Sequence, residues 1–376
     1  MSEQILPETS GNGAPTGEKR PQLERFFQAV SKLEGSDLHL KADVVPRIRK
    51  GGDLLATRHP VLTDHEIVAM VREIISDEQW HDLNHKGSVD LAYALSPSER
   101  FRINIFHQRG QTSLSARRIN PRIPSYGELN LPPVLEKIAD YEQGLVMIAG
   151  ITGSGKSTTL AAMIEQINQR KSMHIVTIED PIEYSYIDKK SFINQREVGL
   201  DCDTFEGAMR AMMREDPDVI LIGEMRDRKT FETAVQAAET GHLVFSTVHA
   251  SSAPGAITRI LELFPQEMHA NIRQALAQNV RAVMYQKLVA SIKPGVSRVP
   301  ALEIMLTTPS VRKYILDGRE NELGTVIRSE RTAGMIDFND TLVGLVQSET
   351  IAAKTAYESS PNAEELKMRL KGIKTY

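Results

Sequence analysis

Gly150-Ile151-Thr152-Gly153-Ser154-Gly155-Lys156-Ser157 is the stretch from which the rest of the chain is read. It fits G-x-x-x-x-G-K-[ST], the phosphate-binding loop, whose backbone N–H groups cradle phosphates while the lysine reaches the β and γ oxygens and the hydroxyl helps hold Mg²⁺. The apolar run before it, Gly144 to Ala149, reads as a buried strand, and Thr158 to Ile167 has the apolar spacing of a helix. Strand, glycine-rich loop and helix therefore come in the order that points a helix N-terminus at an anion. The expected nucleotide contacts are Gly150, Thr152, Gly153, Ser154, Gly155, Lys156, Ser157 and Thr158, with ATP and Mg²⁺ as the ligands.

The chain has 376 residues, 41% hydrophobic and 25% charged, enough for two domains with cores of their own. Its 45 Lys and Arg against 49 Asp and Glu leave a formal charge of −4, which argues against nucleic acid as the main partner. The single cysteine, Cys202, excludes an internal disulfide and a cysteine-based zinc ribbon. No run approaches the length of a membrane span and the first twenty residues lack a signal-peptide core, so a cytoplasmic protein is expected.

Residues 1–20, rich in Gly, Pro, Thr, Ser and Glu, read as a disordered tail. Residues 21–119 read as an α+β domain on an antiparallel sheet, with helices over 22–33 and 67–75 and strands over 36–40, 44–48, 88–95, 100–107 and 112–119. Thr63 and Glu66 form a capping-box pattern ahead of the second helix. Residues 120–131 have the composition of a linker, and 132–376 form a second domain in which buried strands (144–149, 174–180, 218–222, 242–249) alternate with helices. That alternation predicts an α/β fold on a parallel sheet, with ligands at the carboxyl ends of the strands. Beyond His249 the expectation is mostly helix, including one helix over 266–285, a hairpin of 287–291 with 299–305, and helices opening at Pro309 and Pro361 behind the caps Thr308 and Ser360.

Glu224 follows the apolar strand Asp218–Ile222 and is placed to orient Mg²⁺ and its waters, in part through water, together with Ser157. Glu179, Asp180 and Glu183 crowd the end of another strand, where a base for water would be supplied, and the residues alone leave open which of them does so. His242 and His249 bracket one strand; alternation sends them to opposite faces, which suits a γ-phosphate sensor at a strand end better than a shared metal. Arg100, Arg102, Arg109, Arg117 and Arg118 read either as a solvated basic face or as arginine fingers offered to a neighbouring subunit's phosphate.

Four boxes in this order resemble the secretion and type IV pilus ATPases, and within them the PilT/PilU-like twitching-motility branch. They are Gly153–Ala162, Thr177–Glu183 (the Asp box), Arg214–Asp227 (Walker B) and Ala238–His249 (the His box), and the resemblance runs from about residue 21 to residue 350. It implies a homohexameric ring in which each subunit joins a PAS-like N-terminal domain to a RecA-like ATPase domain and hydrolyses ATP to pull pilin out of a pilus. On that pattern the catalytic glutamate falls on Glu183, the Walker B glutamate on Glu224, the box histidines on His242 and His249, and the finger arginines on Arg102 and Arg117. The implied partners are an inner-membrane platform protein and, in some members, a second retraction ATPase, with the ring peripheral at the inner face of the inner membrane.

The chain departs from the family in three ways. Ile151 replaces a common proline in the loop, where backbone N–H groups do the binding. The tetracysteine zinc site and long N-terminal extension of the extension and type II secretion ATPases are missing, which favours a retraction-type member. The retraction motif A-I-R-N-L-I-R-E aligns with Ser310–Asp317, where Arg312 and Ile315 are retained. This last departure points toward an accessory, PilU-type ring ATPase as the alternative; a type II secretion motor or DNA translocase on the same fold is the more distant one.

Overall fold

The computed structural model describes residues 20–96, 99–120 and 122–372, so the tail expected over 1–20 lies, apart from Arg20, outside the described residues. The chain divides into two compact units, one ending at Ile119 and the other starting at Asn120.

In the first unit, α1 (Glu24–Lys32) leads to β1 (Asp37–Lys41), β2 (Arg47–Lys50) and β3 (Asp53–Ala56), then α2 (Asp64–Arg72), α3 (Asp77–Lys86), β4 (Ser88–Ser96), β5 (Glu99–Gln108) and β6 (Gln111–Arg118). Among the described residues the strands form one antiparallel sheet in the order β3-β2-β1-β6-β5-β4. Period-two alternation gives it a core face, with Leu38, Leu40, Phe101, Ile103, Leu114 and Ala116 buried against Phe26, Phe27 and Val30 of α1. Phe27 stacks on Phe101 with centroids 4.6 Å apart. The expected capping box is formed: Glu66 N donates to Thr63 Oγ1 at 3.3 Å and Thr63 N to Glu66 Oε2 at 2.8 Å. The second strand starts at Arg47 rather than residue 44, and pairs with β3 across Gly51-Gly52. Helix α3 was not expected. It opens on a second capping box, Ser76 with Gln79, but buries fully only Leu83, so its apolar stripe is too thin to read from spacing.

The second unit runs α4 (Val134–Ala139), β7 (Gly144–Ala149), α5 (Lys156–Arg170), β8 (His174–Glu179), β9 (Phe192–Glu197), α6 (Phe205–Met212), β10 (Val219–Ile222), α7 (Arg228–Glu239), β11 (Leu243–Val248) and α8 (Ala253–Leu261). It continues with α9 (His269–Asn279), β12 (Val280–Ala290), β13 (Arg298–Leu306), α10 (Pro309–Leu316), α11 (Leu323–Ser329), α12 (Phe338–Gln347), α13 (Ala353–Ser359) and α14 (Ala363–Leu370). Among the described residues seven strands pair in the order β13-β12-β7-β11-β10-β8-β9, parallel throughout except for the antiparallel β13. Both faces are covered, which explains the continuous apolar strands: Leu145 and Met147 of β7 enter one core cluster, Val146 and Ile148 the other.

Two expectations are corrected and one strand is added. The helix over 266–285 ends at Asn279, because Val280, Ala282, Val283 and Met284 are buried in a strand laddered to β7 and β13, and the ladder overrides the helical period. Strand β9 escapes sequence reading since its Phe192, Asn194 and Gln195 carry no apolar alternation; it is an edge strand beside β8. Pro361 precedes the cap of α14 rather than following it: Asn362 Oδ1 accepts from Glu365 N at 3.1 Å. At α10 the expected pattern holds, with Thr308 as cap and Pro309 at the first helical position. Among the described residues no helix is long and apolar enough to cross a membrane.

Candidate active site

The loop after β7 opens on a cavity of about 650 Å³ at the carboxyl ends of the parallel strands. Gly153 and Gly155 take φ of 77° and 84°, the left-handed region that turns successive N–H groups toward an anion. Gly155 is the N-cap of α5 and no side chain caps that helix, which leaves its first-turn N–H groups to a phosphate. Thr152, Gly153, Ser154, Gly155, Lys156, Ser157 and Thr158 all line the cavity. Gly150 shapes it from behind, its carbonyl accepting from Lys156 Nζ at 2.8 Å, with Ile151 O at 3.2 Å. Burial pulls the Lys156 ammonium below its ordinary pKa, while Glu224 and Glu183 nearby oppose that shift. The Ile151 side chain is 66% exposed and takes no part in the cradle.

Glu224 sits two residues past β10. Its strand is not the immediate neighbour of the loop strand: β11 lies between β7 and β10. That insertion brings His249, at the end of β11, to Glu224, with Nε2 2.8 Å from Oε1. Arg226 Nε donates to the other carboxylate oxygen at 2.8 Å and reaches Asp180 Oδ2 at 3.4 Å. Of the three acids left open by the sequence, Asp180 is the one that meets Arg226, and the other two meet different surroundings. Glu179 accepts from Thr177 Oγ1 at 2.7 Å and Gln195 Nε2 at 3.2 Å, and burial pushes its carboxyl up to about 7. Glu183 is exposed and lines the same cavity; its backbone N–H donates to the Glu179 carboxylate, while its own carboxylate makes no hydrogen bond or ion pair among the described residues.

His242 belongs elsewhere. It lies at the amino end of β11, where Nδ1 meets Ala237 O at 2.8 Å and Thr240 Oγ1 at 3.1 Å behind α7, so within one subunit it does not face the phosphate loop. Its seven-residue separation from His249 spans the whole strand, which is what parts them. Arg102 and Arg117 are in the first unit, directly opposite each other on β5 and β6. Arg117 Nε donates to Asp37 Oδ1 at 2.8 Å, and Asp37, opposite Arg117 on β1, is only 4% exposed. Against the opposing effect of burial, hydrogen bonds from Arg117 and Ser36 hold the Asp37 carboxyl below its ordinary pKa.

Sequence reasoning missed Tyr184, Gln195, Arg226, Gln286 and Arg298. Tyr184 Oη and Thr158 Oγ1 are 2.8 Å apart, tying the acidic loop to α5. Gln195 Oε1 accepts from Tyr186 N at 2.9 Å and Nε2 donates to Tyr184 O at 2.9 Å, so that one amide clamps the turn after Glu183. Arg226, two residues past Glu224, and Tyr184, next to Glu183, stood beside residues the sequence had singled out; Gln195 comes from an unforeseen strand, and Gln286 and Arg298 from far along the chain. Arg298, at the start of β13, lines the cavity.

A Gly-Lys-Ser loop between a central parallel strand and a helix, faced by carboxylates and a histidine from the neighbouring strand ends, defines a RecA-like phosphate-loop ATPase. The chain belongs to the type II/IV secretion system protein family, whose model matches residues 123–358. It is 39% identical over 330 residues to the type IV pilus retraction ATPase PilT of Pseudomonas aeruginosa, covering 88% of this chain and 95% of that one. It is 35% identical over 350 residues to the type IV pilus ATPase PilU of the same organism, covering 93% and 91%. A crystal structure of the pilus retraction motor PilT with bound ADP superposes with a TM-score of 0.84 at 39% identity, over 92% of this chain and 98% of that one.

Proposed function

We propose that this chain is the ATP-hydrolysing subunit of a hexameric ring motor that powers type IV pilus retraction, working against an inner-membrane platform protein at the cytoplasmic face. The observation that carries the reading is the convergence of Lys156, Ser157, Glu183, Glu224 and His249 on one cavity in a chain similar to PilT along nearly its whole length.

The residues present fit Mg²⁺. Among the described residues no three His, Cys, Asp or Glu side chains group for a metal, and Mg²⁺ commonly takes few protein ligands beside phosphate oxygens and water. Ser157 and, through water, Glu224 would hold the ion, which would supply positive charge to offset that of the phosphates. The loop N–H groups and Lys156 bind the phosphates. Glu183, its carboxylate exposed and without a side-chain partner among the described residues, accepts a proton from the attacking water as the water oxygen bonds the γ-phosphorus and the bridge to the β-phosphate breaks, giving ADP and phosphate. Glu179, locked in hydrogen bonds, supports the strand end. His249 and Arg226 hold the Glu224 carboxylate, and Arg102 and Arg117 serve a neighbouring subunit as fingers.

Cells carrying Lys156→Ala or Glu183→Gln test this: hyperpiliated, non-retracting cells are expected, and normal retraction overturns the reading. An accessory, PilU-type role has its own support. Of the aligned retraction motif, the retained residues work inward, Arg312 Nε donating to Ala277 O at 2.9 Å and Ile315 being fully buried, whereas the altered Leu316 is 50% exposed. Retraction by this chain in cells without any other retraction ATPase excludes the accessory role.

A further inference from the structure

Gln286 lies on β12, 127 residues beyond Thr159, and is 1% exposed. Its Oε1 accepts from Thr159 Oγ1 at 2.7 Å and its Nε2 donates to Ser154 O at 2.8 Å. Both polar ends of one buried amide are thus spent on the phosphate loop and the first turn of α5. The fit is close: a Cβ on Gly155 would stand 2.9 Å from Gln286 Nε2, and one on Gly150 would stand 2.5 Å from Gln286 O. A trans peptide points its C=O and N–H in opposite directions. By holding the Ser154 carbonyl toward β12, Gln286 turns the Gly155 N–H the other way, toward the cavity that Gly155 lines.

We propose that Gln286 is a positioning residue for nucleotide binding, which orients the last peptide of the phosphate cradle and the N-terminus of α5 from behind. The proposal rests on the nucleotide reading of the site. The same strand carries it further: Tyr285 packs on Phe338 of α12 with centroids 5.3 Å apart, so the cradle and the C-terminal helices share adjacent residues of β12.

The test uses the full chain and a fluorescent ADP. Gln286→Met, of similar volume without the hydrogen bonds, is expected to weaken ADP binding about tenfold, the worth of one well-placed hydrogen bond, and to show a smaller ADP-induced rise in Tm, measured from its own ligand-free Tm, than wild type does. Affinity within twofold of wild type overturns the proposal. Gln286→Glu is the second variant. Its buried carboxyl is an acceptor facing the Ser154 carbonyl when ionised and a donor when protonated, so its affinity relative to wild type is expected to recover as pH falls from 8 to 6. A relative affinity flat with pH overturns the proposal even if Gln286→Met fails to fold. Wild type and Lys156→Ala separate the two readings: if wild type does not bind ADP the site reading fails, and if Lys156→Ala loses binding while both Gln286 variants match wild type, the positioning role alone fails.

Discussion

Glu179 and Glu183 are four residues apart in sequence and opposite in character. A carboxyl whose pKa stands near 7 in the folded chain, against the ordinary 4.5, keeps a proton that the unfolded chain gives up in that interval. Its contribution to stability is therefore full below about 4.5 and is lost as pH rises through about 7. Glu179→Gln, neutral at every pH, is expected to gain in Tm relative to wild type more at pH 8 than at pH 5; an equal difference at both refutes the assignment. Glu183→Gln leaves the backbone hydrogen bond to Glu179 in place and removes only an exposed carboxylate. It is expected to lower kcat by about 10²-fold or more while leaving the affinity for ADP unchanged, as stopped-flow hydrolysis and ADP binding report. The sequence placed both acids at the right strand end but did not separate them, because the difference arises from Thr177 and from Gln195 on a strand with no apolar pattern.

At the scale of elements, what was legible was whatever a local pattern dictates. The Thr63/Glu66 box announced α2, and Thr63→Ala is expected to destabilise the chain by about 1 kcal/mol, seen as a lower denaturant midpoint with an unchanged slope. Apolar runs announced β7, β8, β10 and β11, and with them the end of the sheet where the site lies. What was illegible depends on partners distant in the chain. Val280–Ala290 becomes a strand because β7 and β13 flank it, and Gln286 reaches Ser154 across 132 residues. The strand order itself, with β11 between β7 and β10, decides that His249 rather than Lys156 meets Glu224 at 2.8 Å, and strand order is not written in any single segment.

For the whole molecule, the register that sets Arg102 opposite Arg117 places two like charges side by side, an arrangement that costs stability unless something offsets it; the buried Asp37 beside Arg117 does. In a ring whose sites take a finger from the next subunit, Arg102→Ala subunits keep a complete phosphate loop and Lys156→Ala subunits keep a complete finger. Each alone is expected to be inactive, and a one-to-one mixture is expected to recover about a quarter of wild-type hydrolysis, the fraction of head-to-tail interfaces that pair an intact loop with an intact finger. No recovery at any ratio counts against the finger assignment. The β12–β13 hairpin bears on how such a ring would carry force. Helices α12–α14 pack on its Val289, Val299 and Ala301, while β12 is laddered to β7, the strand that ends in the phosphate loop. A load entering through those helices reaches the strand of the loop across a row of backbone hydrogen bonds that share it, as rivets in a plate do. In such a ring the strain of pulling arrives beside the peptides that grip the nucleotide.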